Sequence, residues 1–275
     1  MMRFAGTGGK TNCADGKGRQ DEDMTTTAAL RETYQRDGFV TGIDIFPDEE
    51  IREYRSQFDA LEAREGREKC QIGIAGRHFD EEFIWRLASD SRILDAMEAV
   101  MGRDILLLST HFFCKYPDPK GETFVAWHQD ITYWGLEPPI ANTAWLAIDD
   151  SDIENGCMKV IPGTHRTGIA PHGKSESAGN LLSINQEIPD EHVDSSQAVN
   201  LELKAGQISI HGGQVFHASQ PNTSNRRRCG MVIRFIPPEV RQAEANSLGA
   251  AWRPILVRGA DRFGNFPETA APFGE

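Results

Sequence analysis

The sequence lacks several features that would assign it quickly. No stretch approaches the roughly 18 consecutive apolar residues of a membrane span. The N-terminus carries Arg3 and Lys10 but no apolar core of a signal peptide. A surplus of basic residues is also missing: 41 acidic against 29 basic side chains leave a net charge of -12. Such a surface repels a phosphate backbone, which argues against nucleic acid as a partner. Cysteine is sparse and poorly spaced for cross-linking. The five, Cys13, Cys70, Cys114, Cys157 and Cys229, form no Cys-x-x-Cys pair. That argues against a disulfide framework or a zinc knuckle and suits a reducing cytoplasm. No internal repeat is visible.

What is present is an ordinary globular composition, 39% hydrophobic and 25% charged over 275 residues. A single jelly-roll or barrel domain of about 200–250 residues fits that length. Residues 1–24, rich in Gly, Lys, Asp and Thr, read as a disordered leader. Residues 25–275 read as one domain: a helical layer over 25–102, a β core over 103–240 and a C-terminal extension over 241–275.

Leu30, Tyr34 and Phe39 give an apolar stripe for a helix over 25–38. Pro47 to Ala63 reads as a second helix, with Ile51, Tyr54, Phe58 and Leu61 at helical spacing. Two more short helices fit between Glu81 and Met101, broken near Ser89-Asp90-Ser91. After Gly102 the pattern changes to strands: Ile105–Phe113, Thr143–Ile148, Met158–Ile161, Val199–Leu203, Gln207–His211 and Gly230–Ile236. Helices first and strands later predict a β-sandwich or barrel with an N-terminal helical layer. The polar segment 166–198 is long for a plain connection and reads either as a lid over a pocket or as a surface excursion.

The chemistry begins at Trp127-His128-Gln129-Asp130. On extended backbone, residues two apart project to the same side, so the His128 imidazole and the Asp130 carboxylate converge. They supply two-thirds of the two-histidine, one-carboxylate triad, which leaves metal positions open for other ligands. The second histidine is His211 or His217. A co-substrate such as 2-oxoglutarate would need a grip on its far carboxylate, and a buried arginine offers a planar fork for it. Arg228 lies 11 positions after His217, with turn signals at Pro221-Asn222 and Ser224-Asn225 between. It lies 17 positions after His211, a less natural reach for one hairpin. The spacing favours His217, with His211 as the fallback.

The block from His128 to Arg234 resembles the phytanoyl-CoA dioxygenase family of iron(II)/2-oxoglutarate oxygenases. The matching pieces are Trp127-His128-Gln129-Asp130, Glu154-Asn155-Gly156-Cys157-Met158, Ile161-Pro162-Gly163-Thr164-His165 and His217-Ala218-Ser219-Gln220-Pro221-Asn222. Arg228 falls where that family places its 2-oxoglutarate arginine. The resemblance implies a mainly β fold, a double-stranded β-helix (jelly-roll) core with the N-terminal helices on one face. It implies Fe(2+) on His128, Asp130 and His217, with 2-oxoglutarate and O2 as co-substrates. Trp145 and Ser219 would line the 2-oxoglutarate pocket. So would a residue of the 105–113 strand, His111 or its neighbour Phe113.

Halogenases of this group replace the carboxylate with a small residue. Asp130 therefore points to hydroxylation of a small-molecule metabolite or natural-product intermediate, with release of succinate and CO2. Tyr133, Trp134, His165 and His211 are the candidate substrate contacts, with a structural cap as the alternative for His165. His78, His172 and His192 read as surface residues, with His172 as a contact of the lid. The alternative is a cupin-like protein holding zinc or manganese on the same ligands, without 2-oxoglutarate chemistry. Arg228 and Ser219 argue against it. No membrane association is expected, and a monomer or a homodimer suits the fold equally.

Overall fold

The computed structural model describes residues 27–246 and 249–274, less 176 and 183–185, and omits the Tyr133 side chain. The expected leader, residues 1–24, lies outside the described residues.

Helix α1 covers 27–37. Helix α2 (Asp48–Glu65) buries Ile51, Tyr54, Phe58 and Leu61, one per turn along a single face. Asp48, Glu49 and Glu50 occupy its first turn, where the helix dipole favours negative charge, and Gly66 ends it at φ 88°. A short helix α3 (Arg67–Ile72) follows, which the periodicity does not announce. Helices α4 (Glu82–Ala88) and α5 (Ser91–Met101) divide at Asp90, whose carboxylate accepts from the Arg92 amide at 2.9 Å.

The strands form two main sheets. The larger has the order β1-β10-β5-β12-β2-β14. It is built from β1 (Phe39–Asp44), β2 (Ile105–Lys115), β5 (Asn142–Ala147), β10 (Gln207–Gly212), β12 (Arg228–Ile236) and β14 (Ile255–Arg258). The smaller has the order β3-β11-β6-β9, from β3 (Val125–His128), β6 (Met158–Val160), β9 (Val199–Leu201) and β11 (His217–Ser219). Two ribbons complete the set: β4 (Leu136–Glu137) with β13 (Arg241–Gln242), and β7 (Gly173–Lys174) with β8 (Gln186–Glu187). All these pairings are antiparallel, and the molecule has the jelly-roll architecture.

The central strand β12 shows how the sequence divides the interior. Cys229, Met231, Ile233 and Phe235 point to one side and join the core shared with the helices. There Phe58 of α2 meets Phe112 of β2, with ring centroids 4.6 Å apart. The alternate residues Arg228, Val232 and Arg234 point to the other side, into a cavity of about 500 Å³. The pairing of β2 with β12 slips by one residue at Leu108, between the Arg234–Ser109 and Phe235–Leu107 pairs. The bulge brings both Leu108 and Ser109 to the cavity wall.

Residues 74–76 run beside β2, where the Phe112 amide donates to the Ile74 carbonyl and the Gly76 amide to the Thr110 carbonyl. That docking carries the loop after α3 to the cavity rim. On another side the rim is formed by the C-terminal extension, where the Trp252 indole donates to the Trp134 carbonyl at 2.8 Å. The segment 166–198 contributes Leu181 and Leu182 to the wall. Among the described residues no helix is long and apolar enough to cross a membrane.

Candidate active site

His128 ends β3 and faces His217 at the start of β11 as a direct cross-strand pair. Their rings lie 4.0 Å apart, centroid to centroid. The chain then turns into a 3-10 segment, Asp130–Tyr133, which swings the Asp130 carboxylate back toward both rings. Asp130 Oδ1 lies 3.5 Å from His128 Nε2 and 3.8 Å from His217 Nε2. The three donor atoms all fall within 4.8 Å of one another, and all three residues are buried. Gln129, between them, points the other way. Its amide nitrogen donates to the Gly168 and Gln214 carbonyls at 2.9 and 2.8 Å, and its oxygen accepts from the Ala170 amide at 2.8 Å. One tetrapeptide thus places two donors inward and pins the 166–198 segment outward.

Both histidines are oriented by their own strands. His128 Nδ1 donates to the Ala126 carbonyl at 2.9 Å, and His217 Nδ1 to the Val215 carbonyl at 3.0 Å. Those bonds fix the tautomer with the proton on Nδ1 and turn the Nε2 lone pair toward Asp130. Burial holds the His217 pKa well below its ordinary value, so the ring stays neutral. Burial alone would raise the Asp130 pKa. The nearby Arg234 and the histidines outweigh it and keep the carboxyl well below the usual range. Two imidazole nitrogens and one carboxylate fit a divalent cation, and the open side of the cluster faces the cavity.

His211 sits on β10 of the other sheet, its ring 4.7 Å from that of His217 and its Nε2 3.9 Å from Asp130 Oδ2. Neither of its ring nitrogens has a hydrogen-bond partner among the described residues. It lines the cavity without joining the convergent cluster.

Arg228 opens β12, and the chain reaches it through a turn shaped by Asn222. That fully buried amide donates to the Lys115 and Arg226 carbonyls at 3.0 and 2.6 Å. The three consecutive arginines diverge. Arg226 is exposed and pairs with Asp152 at 2.7 Å. Arg227 ties Asp59 and Glu62 of α2 to Asp149 at 2.7–2.8 Å. Arg228 turns inward, 2% exposed, over the Trp145 ring at 5.2 Å and the Phe113 ring at 5.9 Å. Its Nε has no partner, and no carboxylate among the described residues pairs with it. Burial lowers its pKa to about 10, which still leaves the guanidinium charged. Lys115 lies opposite Arg228 in register and donates to the Gln220 carbonyl. Burial and the adjacent Arg228 guanidinium drive its pKa well below the ordinary lysine range.

Ser219, two residues after His217 on β11, lines the Arg228 end of the cavity, as do Trp145 and Phe113. His111 lines the same wall, with Nε2 donating to the Ile72 carbonyl at 2.6 Å. Of the two candidates on β2, Phe113 is the one against Arg228. Trp134 lines the far end, its ring under the Arg234 guanidinium at 5.1 Å. The Tyr133 side chain lies outside the described residues.

Three expectations need correction. His165 does not line the cavity. It packs against Gly38 at the end of α1, and its Nε2 lies 3.3 Å from the Gln35 carbonyl. His78 is not a surface residue: it is 1% exposed and lines the cavity. Its Nδ1 lies 2.9 Å from Thr110 Oγ1, and burial lowers its pKa to about 4. His172 is half-buried, and its Nε2 accepts from the Gln129 amide at 3.1 Å. Sequence reasoning also passed over Arg234, Phe79, Trp252 and Arg253, all of them cavity residues. Only Arg234 left a signal, being an even number of positions from Arg228 on one strand.

A jelly roll with a buried facial cluster of two histidines and an aspartate, opening on a cationic cavity, defines a mononuclear metal-site protein. The chain belongs to the phytanoyl-CoA dioxygenase (PhyH) family, whose model matches residues 34–230. A phytanoyl-CoA dioxygenase domain-containing protein 1 homolog from Dictyostelium discoideum is 36% identical over 113 residues, 40% of this chain and 39% of that protein. The chain therefore matches well under half the length of that relative. Among solved structures, the non-heme monooxygenase ThoJ is 30% identical, covers 88% of both chains and superposes with a TM-score of 0.70. The epimerase SnoN, in complex with Fe3+, alpha-ketoglutarate and a nogalamycin compound, shares the fold at 21% identity. Its TM-score is 0.68, covering 88% of this chain and 97% of its own.

Proposed function

We propose that this chain is an iron(II)- and 2-oxoglutarate-dependent dioxygenase that hydroxylates a small-molecule metabolite or natural-product intermediate. The observation that carries the reading is one cavity with two complementary features. A convergent His128, Asp130 and His217 cluster lies on its wall, and an unpaired buried arginine, Arg228, lies at its end. A cupin-like metal site has no use for that arginine.

The residues divide the work. His128, Asp130 and His217 would hold the iron, with both rings pre-aimed by their Nδ1 bonds to the backbone. Arg228 would take the far carboxylate of 2-oxoglutarate through its planar fork, helped by the Ser219 hydroxyl. Trp145 and Phe113 would flank that arginine and keep water from it. The bound iron supplies the dioxygen chemistry, coupling conversion of 2-oxoglutarate to succinate and carbon dioxide with oxidation of the substrate. The jelly-roll walls hold the substrate in place and exclude water from the reacting carbon.

Anaerobic addition of iron(II) and 2-oxoglutarate should produce a visible charge-transfer band. Asp130→Ala should abolish the band and lower succinate formation at least about 100-fold, more than loss of a supporting group costs. Oxygen from isotopic dioxygen should appear in the product, which distinguishes hydroxylation from epimerisation or ring closure. No band, or full succinate formation in Asp130→Ala, would sink the reading.

A further inference from the structure

The metal cluster and Arg228 leave the other half of the cavity unexplained. There Arg234 projects from β12 onto the cavity side, six positions beyond Arg228. Its Nε lies 3.8 Å from Asp130 Oδ2 and has no hydrogen-bond partner among the described residues. Polar atoms without partners surround it. Both His211 ring nitrogens, Thr143 Oγ1 and Ser109 Oγ are buried with no partner among the described residues. The register makes these neighbours. Arg234 pairs with Thr143 on one side and Ser109 on the other, and His211 pairs with Thr143. Four adjacent strands thus present one contiguous polar patch on one face, and buried polar groups without partners are uncommon.

Charge points the same way. Over the whole chain acids outnumber bases, 41 to 29. Among the described residues around the cavity, Arg228, Arg234 and Arg253 face a single acid, Asp130, and of the three arginines only Arg253 is exposed to solvent. Once the site is loaded as proposed above, the metal dication, Asp130, the co-substrate dianion and Arg228 cancel. With Arg253 screened by solvent, Arg234 is the largely buried charge left over, in a place where an uncompensated charge is unfavourable. One spare positive charge with a planar fork matches a monoanionic carboxylate.

We propose that Arg234, with His211, Thr143 and Ser109, is a second anion subsite, and that the primary substrate is a carboxylic acid held there. Its apolar body lies against Phe79, Leu108 and Trp252, and its oxidised carbon faces the metal cluster. The charge balance and the oxidation step rest on the oxygenase reading, whereas the unpartnered polar patch around Arg234 does not.

The test uses the full chain loaded with redox-silent zinc(II) and 2-oxoglutarate. Calorimetry compares matched pairs, phenylpropionate with phenylpropanamide and hexanoate with hexanamide. At least one acid should bind about ten-fold or more tightly than its amide, a gap of one charge-assisted contact. Arg234→Gln should bring acid and amide to within about two-fold of each other while 2-oxoglutarate affinity holds. Arg234→Lys should keep most of the preference, so the inference stays decidable if Arg234→Gln fails to fold. Equal binding of every acid and amide by the unmodified protein, no binding of any acid, or a preference that survives Arg234→Gln would overturn it. If Arg234 serves only to position Asp130, the variants weaken zinc binding and the unmodified protein shows no acid preference. Failure of 2-oxoglutarate to bind would count against the oxygenase reading alone, because the acid and amide pairs are also compared on the metal-free chain.

Discussion

At the residue scale, Arg228 carries its charge without a carboxylate partner among the described residues, in a burial that already lowers its pKa. Arg228→Gln should weaken 2-oxoglutarate binding roughly 30- to 5,000-fold, the range for breaking a buried charged pair. Arg228→Lys should rescue little of it, because an ammonium offers no planar fork. Anaerobic titration measures both, and iron affinity should change far less. Gly230 is a second fixed point. A Cβ there would lie 2.0 Å from the Trp145 ring. Gly230→Ala should cost about 1–3 kcal/mol in chemical denaturation, partly recovered by Trp145→Phe. Placements that follow from strand parity were legible in the sequence: His128 with Asp130 in one cluster, and Arg228 turned inward after the turn. Arg234 obeyed the same parity and went unread, because nothing in the local pattern separates a cavity arginine from a solvated one. His78 and His165 were misplaced because both sit on loops, whose docking depends on contacts distant in sequence.

At the element scale, Gln129 joins two parts of the fold. Its side chain makes three hydrogen bonds that fasten the 168–170 backbone and the Gln214 carbonyl to the metal-binding turn. Gln129→Leu should leave the jelly roll folded but raise amide hydrogen exchange across 166–182 by at least about ten-fold, the effect of losing one or two buried bonds. Unchanged exchange there would show that other contacts hold the segment. The long strands and the four longer helices were readable because their apolar residues repeat at one period. Two short pieces, α3 and β11, were not, although the equally short β6 and β9 were expected. Helix α3 has six residues and buries only Cys70, and β11 has three residues, too few for any period to show.

At the scale of the whole molecule, the helical layer and the sheets share one core, and buried titratable groups beside it tie stability to pH. His78 is the clearest. Its pKa of about 4 lies below the ordinary 6.5, so the unfolded chain binds its proton more readily than the folded one. The stability it protects is therefore complete above about pH 6.5 and is lost as the pH falls toward 4, some 3 kcal/mol in all. Urea midpoints at pH 7 and pH 4.5 should differ less in His78→Gln than in the unmodified protein. Parallel changes in the two would rule out that role. The architecture itself was legible, since helices first and strands later leave few alternatives. The cavity's far half was not, because it is assembled from the loop after α3, the 166–198 segment and the C-terminal extension, which meet only in three dimensions. Strand β12 crosses this assembly and carries an arginine at each end of it. With a strand rise of roughly 3.3 Å, their backbones stand about 20 Å apart. That separation is quantised. An odd shift would swing the guanidinium into the helical core, so a descendant of this chain could lengthen or shorten its gauge only in hops of two residues, about 7 Å each.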